Sequence, residues 1–188
     1  MKVTAYSNNL FQLTRLGFVN CYLVRENDGF TLIDTGMSGQ AQPIVQAAQK
    51  LGLPIVRIVL THAHVDHVGS LDALHEALPN AQVAISERDA RFLSGDQSLD
   101  PTEPQVPLRG GYPVCTTKPT LLLHEGDRIG SLEVIATPGH TPFTGRFLLM
   151  QPPEKAKEPH RMTEELTVAF WPSRTSCETA SSWARVRE

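Results

Sequence analysis

Thr61-His62-Ala63-His64-Val65-Asp66-His67-Val68-Gly69 follows directly on the apolar run Ile55-Val56-Arg57-Ile58-Val59-Leu60. Four groups able to hold a metal therefore stand within six residues, at the end of a stretch that reads as a buried strand. A helix-like stretch opens at Ser70. In open α/β sheets ligands bind where strands end and the chain turns back, and this order of elements puts His62, His64, Asp66 and His67 there. In an extended segment side chains two apart point the same way, so His62 and His64 can grip one ion from one side. Asp66 and His67 are neighbours and cannot both face that ion. They suit a second ion beside the first, and two adjacent metals can hold hydroxide between them and polarise a carbonyl or phosphoryl oxygen. A chance cluster of polar residues on a solvated loop is the bland alternative. The density of imidazoles directly after an apolar strand argues against it.

Upstream, Leu53 to Leu60 is apolar almost throughout, as for a strand covered on both faces. Gln40 to Leu51 reads as a helix, with Pro43 in its first turn, Ile44, Ala47, Ala48 and Leu51 on one side, and Gly52 as its stop. Before it, Phe18 to Val24 and Phe30 to Asp34 form a hairpin around Glu26-Asn27-Asp28-Gly29. Asp34 ends the second of these strands, where an Asx turn or helix cap is its ordinary role. Downstream, Ser70 is placed to cap a helix carrying Leu71, Leu74 and Leu78, and Pro79 ends it. Gln82 to Ile85 is a short strand, and Ser86-Glu87-Arg88-Asp89 opens a helix in capping-box style. Residues 94–119 lose all periodicity and hold five prolines and Gly110-Gly111. Such a loop is either a cover over the cleft or a surface excursion. Leu121 to Leu123, Leu132 to Ala136 and Phe147 to Met150 are further strands. His75 and His124 read as surface residues.

The His-x-His-x-Asp-His run, the earlier Leu32-Ile33-Asp34-Thr35-Gly36 and the later Thr137-Pro138-Gly139-His140-Thr141 together resemble the motifs of the metallo-β-lactamase superfamily, in its order. The resemblance runs from about Asn20 to Thr141. It implies an α/β fold, a metallo-β-lactamase-like αβ/βα sandwich, with residues 1–150 as a partial domain and 151–188 as an atypical Pro/Ser-rich tail. It implies that His140 joins His62 and His64 on a first metal, a three-His arrangement suited to catalytic zinc. Asp66 and His67 would serve the second metal, Asp66 also orienting the nucleophile. Asp34 would lie behind the metals, orienting a ligating ring. The chain departs from the family pattern after His140. Pro142-Phe143-Thr144-Gly145-Arg146 replaces the usual continuation, no Asp follows Asp127, and the only later His is His160. The second half of the sandwich therefore reads as incomplete, through truncation, a shifted frame or degeneration. A half-sandwich is expected to expose apolar sheet surface and to self-associate through it.

The 188 residues suffice for one core, and 40% hydrophobic with 20% charged residues is ordinary for a globular chain. A net charge of -3 gives no sign of a nucleic-acid partner. The N-terminus lacks a signal-peptide core, no run reaches membrane-spanning length, and Cys21, Cys115 and Cys177 form no Cys-x-x-Cys. A cytoplasmic protein with free thiols and a small-molecule substrate is the expectation. The activity implied is hydrolysis of an ester, thioester, lactone or amide by metal-bound hydroxide, as in glyoxalase-II-like or lactonase-like members. Zinc, as one or two ions, suits imidazole and carboxylate without thiolate, and manganese, iron, cobalt and nickel remain compatible. The alternative is a non-catalytic metal-binding remnant of such an enzyme.

Overall fold

The computed structural model describes residues 1–150. The apolar run 167–171, His160, Cys177 and the tail as a whole lie outside the described residues. Seven strands follow one another across a single sheet: β1 (Lys2–Ala5), β2 (Leu10–Arg15), β3 (Val19–Arg25), β4 (Phe30–Ile33), β5 (Ile55–Val59), β6 (Gln82–Ser86) and β7 (Leu121–Leu123). The first four pair antiparallel through short turns. From β4 onward the pairing is parallel, and each crossover carries helix. Those helices are α1 (Ala41–Lys50), then α2 (Val65–Val68) with α3 (Leu71–Ala77), then α4 (Glu87–Leu93). A second, antiparallel sheet is ordered β10 (Gly145–Leu149), β9 (Leu132–Ala136), β8 (Arg128–Ile129).

The alternation of side chains along β4, β5 and β6 builds two cores on one sheet. Leu32, Ile58, Val83 and Ile85 face one way, with Ile44 and Ala48 of α1, Leu71 and Leu74 of α3 and Phe92 of α4. Ile33, Val59 and Ala84 face the other, against Leu132, Val134 and Phe147 of the second sheet. This is why β5 and β6 lack polar alternation: a helix layer covers one face and a sheet the other. Among the described residues, large apolar side chains stand exposed on both edge strands of this sheet, Val3 on β1 and Leu122 on β7, and also at Leu16 and Phe18 in the β2–β3 turn and at Val106 and Val114 in the long loop.

Two local expectations are corrected. Ser70 precedes α3 without capping it. Its Oγ donates to the Met37 carbonyl and accepts from the Gln40 amide, tying the start of α1 to the ligand segment. The ligand segment is extended only through His64, and Val65–Val68 then closes a short helical turn. No helix among the described residues is long and apolar enough to cross a membrane.

Candidate metal centre

The parallel register pairs Ile33 with Val59, so the carboxyl ends of β4 and β5 finish side by side. Asp34 leaves β4 in the left-handed region, at φ 60°, a conformation that Asp tolerates better than most residues. Its buried carboxylate then turns toward β5. It accepts from the Thr61 amide at 2.8 Å, from the Thr61 hydroxyl at 2.9–3.0 Å, and from His67 Nδ1 at 2.8 Å. The carboxylate is thus a hub across two strands, rather than the Asx turn or helix cap that is the ordinary role of such an Asp.

The hub fixes the state of His62. A carboxylate only accepts, so the Thr61 hydroxyl proton points at Asp34. The 2.9 Å contact between Thr61 Oγ1 and His62 Nδ1 must then be donated by the ring. His62 Nε2 is left with its lone pair toward the cleft. His64 is fixed from the opposite side. Its Nε2 lies 2.9 Å from the Arg109 carbonyl, which also only accepts, so Nε2 carries the proton and Nδ1 the lone pair. The two bare nitrogens face each other at 3.0 Å, and His140 Nε2 approaches His64 Nδ1 at 3.0 Å. Two lone pairs at that distance repel unless a cation or proton lies between them. Imidazole nitrogens sharing a tetrahedral zinc at about 2.0–2.1 Å sit roughly 3.3–3.4 Å apart, close to what is seen. The three rings fit a divalent ion. Their candidate ligand atoms all lie within 4.8 Å of one another. Burial, aided by the neighbouring imidazoles, holds His62 and His64 below the ordinary histidine range, and His140 follows the same way although it is exposed. Neutral rings are the ligating form.

Asp66 and His67 stand beside this trio rather than in it. His67 Nε2 faces the Asp66 carboxylate at 3.6 Å while Nδ1 is taken by Asp34. Burial opposes a charge on His67, yet the two carboxylates outweigh it and raise its pKa to about 9. The His67 hydrogen bond in turn holds the half-exposed Asp66 below the usual carboxylate range. His124 is exposed, pairing with Glu87 and Asp127, and His75 is half-buried on α3.

Sequence reasoning left the role of the long loop open and missed Asp89. The loop reaches the centre through Arg109 to Tyr112. The Gly111 carbonyl accepts from the Val65 amide at 2.9 Å, and the Tyr112 ring packs on His64 with centroids 4.5 Å apart. Gly110, at φ +91°, lies so close that a β-carbon there would meet His64 Nε2 at 2.6 Å. The loop is pinned to α4 by Arg88 on Glu103, through two bonds of 2.6 and 2.7 Å, and by Arg91 on Asp100. Asp89, fully buried on α4, accepts from the Ala63 amide between two ligands. Its place three residues after Ser86 marked it as a helix cap. Ser86 Oγ does accept the Asp89 amide, but the carboxylate bonds that hydroxyl rather than the Ser86 amide and leaves its other oxygen for Ala63. Its burial lifts its pKa to about 6.

His140 sits in a turn closed by two threonines. The Thr141 amide bonds Thr144 Oγ1 at 2.8 Å and the Thr144 amide bonds Thr141 Oγ1 at 2.9 Å. The departure Pro142-Phe143-Thr144 thus still makes a compact ligand turn. The Gly145 amide joins it to the Thr61 carbonyl at 2.7 Å.

Residues 14–150 match the profile of the metallo-beta-lactamase superfamily. The chain is 51% identical over 152 residues to Bacillus subtilis YobT, covering 79% of this chain and 65% of that protein. It is 36% identical over 128 residues to the probable metallo-hydrolase YqgX of the same organism, covering 65% of this chain and 56% of YqgX. It thus spans less than two thirds of these relatives. A beta-lactamase from Chitinophaga pinensis superposes with a TM-score of 0.64 at 26% identity, over 82% of this chain and 59% of that one. The profile match takes in the strand ends, the ligand segment and the His140 turn together, and on it the chain belongs to the metallo-beta-lactamase superfamily of metallo-hydrolases.

Proposed function

We propose that the chain is a metal-dependent hydrolase of small carbonyl substrates: esters, thioesters, lactones or amides. The observation that carries this reading is the convergence of His62 Nε2, His64 Nδ1 and His140 Nε2, two of them held as lone-pair donors by groups outside the trio. A bound divalent ion such as zinc supplies polarisation of the carbonyl and hydroxide near neutral pH. His62, His64 and His140 would hold that ion. Asp66, ionised and half-exposed beside the trio, orients the attacking water and takes its proton. Asp34 and Thr61 keep the His62 ring at a fixed angle, and Tyr112 with Gly110-Gly111 shields one side of His64 from water. A second ion beside the first would be held by Asp66 and by His67 once His67 gives up its proton, which the two carboxylates resist.

A non-catalytic metal-binding protein is the second reading, favoured by one observation: beside the trio, His67 has Nδ1 on Asp34 and its pKa raised to about 9, which works against a second ion there. Metal per chain by elemental analysis separates the readings, with His140→Ala as control and hydrolysis of a thioester and a lactone as readout. The expected result is at least one zinc per chain, lost in the control, and a rate abolished by chelation, restored by zinc and absent in His62→Ala. Zinc bound with no hydrolysis of any carbonyl class makes the protein a non-catalytic metal binder. No zinc at all removes the centre.

A further inference from the structure

The ligands come from two sheets. His62 and His64 follow β5 of the seven-stranded sheet, and His140 precedes β10 of the other. A three-nitrogen centre needs both segments held to a fraction of an ångström, and a metal-ligating set is only as good as the bonds that aim it. Asp89 bonds to both. One oxygen accepts from the Ala63 amide at 3.2 Å, between His62 and His64. The other accepts from Ser86 Oγ at 3.0 Å and from Thr141 Oγ1, next to His140, at 3.4 Å. With the Thr141 proton given to Asp89, Thr144 Oγ1 donates to Thr141, so the threonine turn and the carboxylate form one directed chain. A fully buried carboxylate is costly to place. Here its bonds run to one amide and two hydroxyls of three segments, a reach that no apolar side chain of that size can reproduce.

We infer that Asp89 is a positioning residue for the metal centre: it ties the His62–His64 segment and the His140 turn to α4, so that the third ligand arrives in register with the first two. This rests on the metal-centre reading above. In this role Asp89 acts through Ala63 and Thr141, not as a ligand itself.

The test compares wild type with Asp89→Ala, Asp89→Asn and Thr141→Val. The readouts are zinc affinity by chelator competition, the visible spectrum of the cobalt-loaded protein, and thermal unfolding of the metal-free protein. Asp89→Ala is expected to lose roughly 10–100-fold in zinc affinity, the usual cost of removing a group that supports a ligand. Thr141→Val, which leaves the Ala63 bond in place, is expected to weaken zinc and shift the cobalt bands as well. Asp89→Asn keeps one acceptor oxygen and is expected to fall between wild type and Asp89→Ala. Should Asp89→Ala fail to fold, the other two variants decide. Unchanged zinc affinity and cobalt spectrum in Asp89→Asn and Thr141→Val overturn the inference. So does a loss of zinc that only tracks the loss of metal-free stability. A wild type that binds no zinc overturns the centre itself, which separates the two failures.

Discussion

At the scale of single residues, the three converging imidazoles are aimed by groups outside the trio. Gly110 is the sharpest case, because its φ of +91° and the 2.6 Å approach to His64 Nε2 both exclude a β-carbon. Gly110→Ala is expected to push His64 off its line and lower zinc affinity roughly 10–100-fold while the folded content of the metal-free protein stays intact, as read by competition titration and circular dichroism. His62, His64 and His67 stand out in the sequence because their spacing after an apolar strand is itself chemical, whereas a place for Asp34 beside them comes from the family resemblance. Asp89 and the Arg109 carbonyl do not stand out. A backbone carbonyl has no side-chain signature, and nothing local tells that a loop peptide 45 residues on will close against His64. Asp89 was visible only in its local role. An acid near a helix start reads as a cap, and its burial depends on segments that arrive from far along the chain.

At the scale of elements, strands and helices were readable where periodicity and turn chemistry agreed. The hairpin of β3 and β4, helix α1 and the buried run of β5 all fall where pattern places them. The long loop was unreadable for a physical reason. Its structure comes from ion pairs with α4 rather than from a repeating contact, and ion pairs carry no period. Arg88 also stacks over Phe92, which in turn packs against Tyr112, so α4 holds the loop by charge and by rings. Arg88→Ala is expected to free the loop end that covers His64. Hydrogen exchange at the Val65 amide, which bonds the Gly111 carbonyl, should quicken, while amides within β5 and β6 keep their protection. Equal protection at Val65 in variant and wild type would mean that the loop stands without this pin.

At the scale of the molecule, the centre gives the metal-free protein a stability that depends on pH in two directions. His62, His64 and His140 have pKa values below their ordinary 6.5 in the folded chain. The unfolded chain therefore takes up more protons as pH falls through about 6.5, and the fold weakens on that side. His67, raised to about 9, adds stability that is full below about 6.5 and fades as pH rises through 9. The apo-protein is expected to melt highest near pH 6.5, where neither loss has begun, with His140→Gln flattening the acid limb and His67→Gln the alkaline one. Melting temperatures that ignore both substitutions would detach the rings from the fold's energetics. The two cores, one under the helices and one between the sheets, are the rigid frame against which this titration is felt.

The division of the ligands between two sheets also orders events during synthesis. His64 and His140 are 76 residues apart, so a growing chain carries a two-imidazole grip long before the third ring emerges. Closing that span with an ion removes about 4 kcal/mol of freedom from the unfolded chain, on the same reckoning as a disulfide of that length. An ion caught early by His62 and His64 would wait, loosely held, for the second sheet to dock. Metal supply in the cell would then govern how much of the newly made protein reaches its final form, as well as how much of it can react.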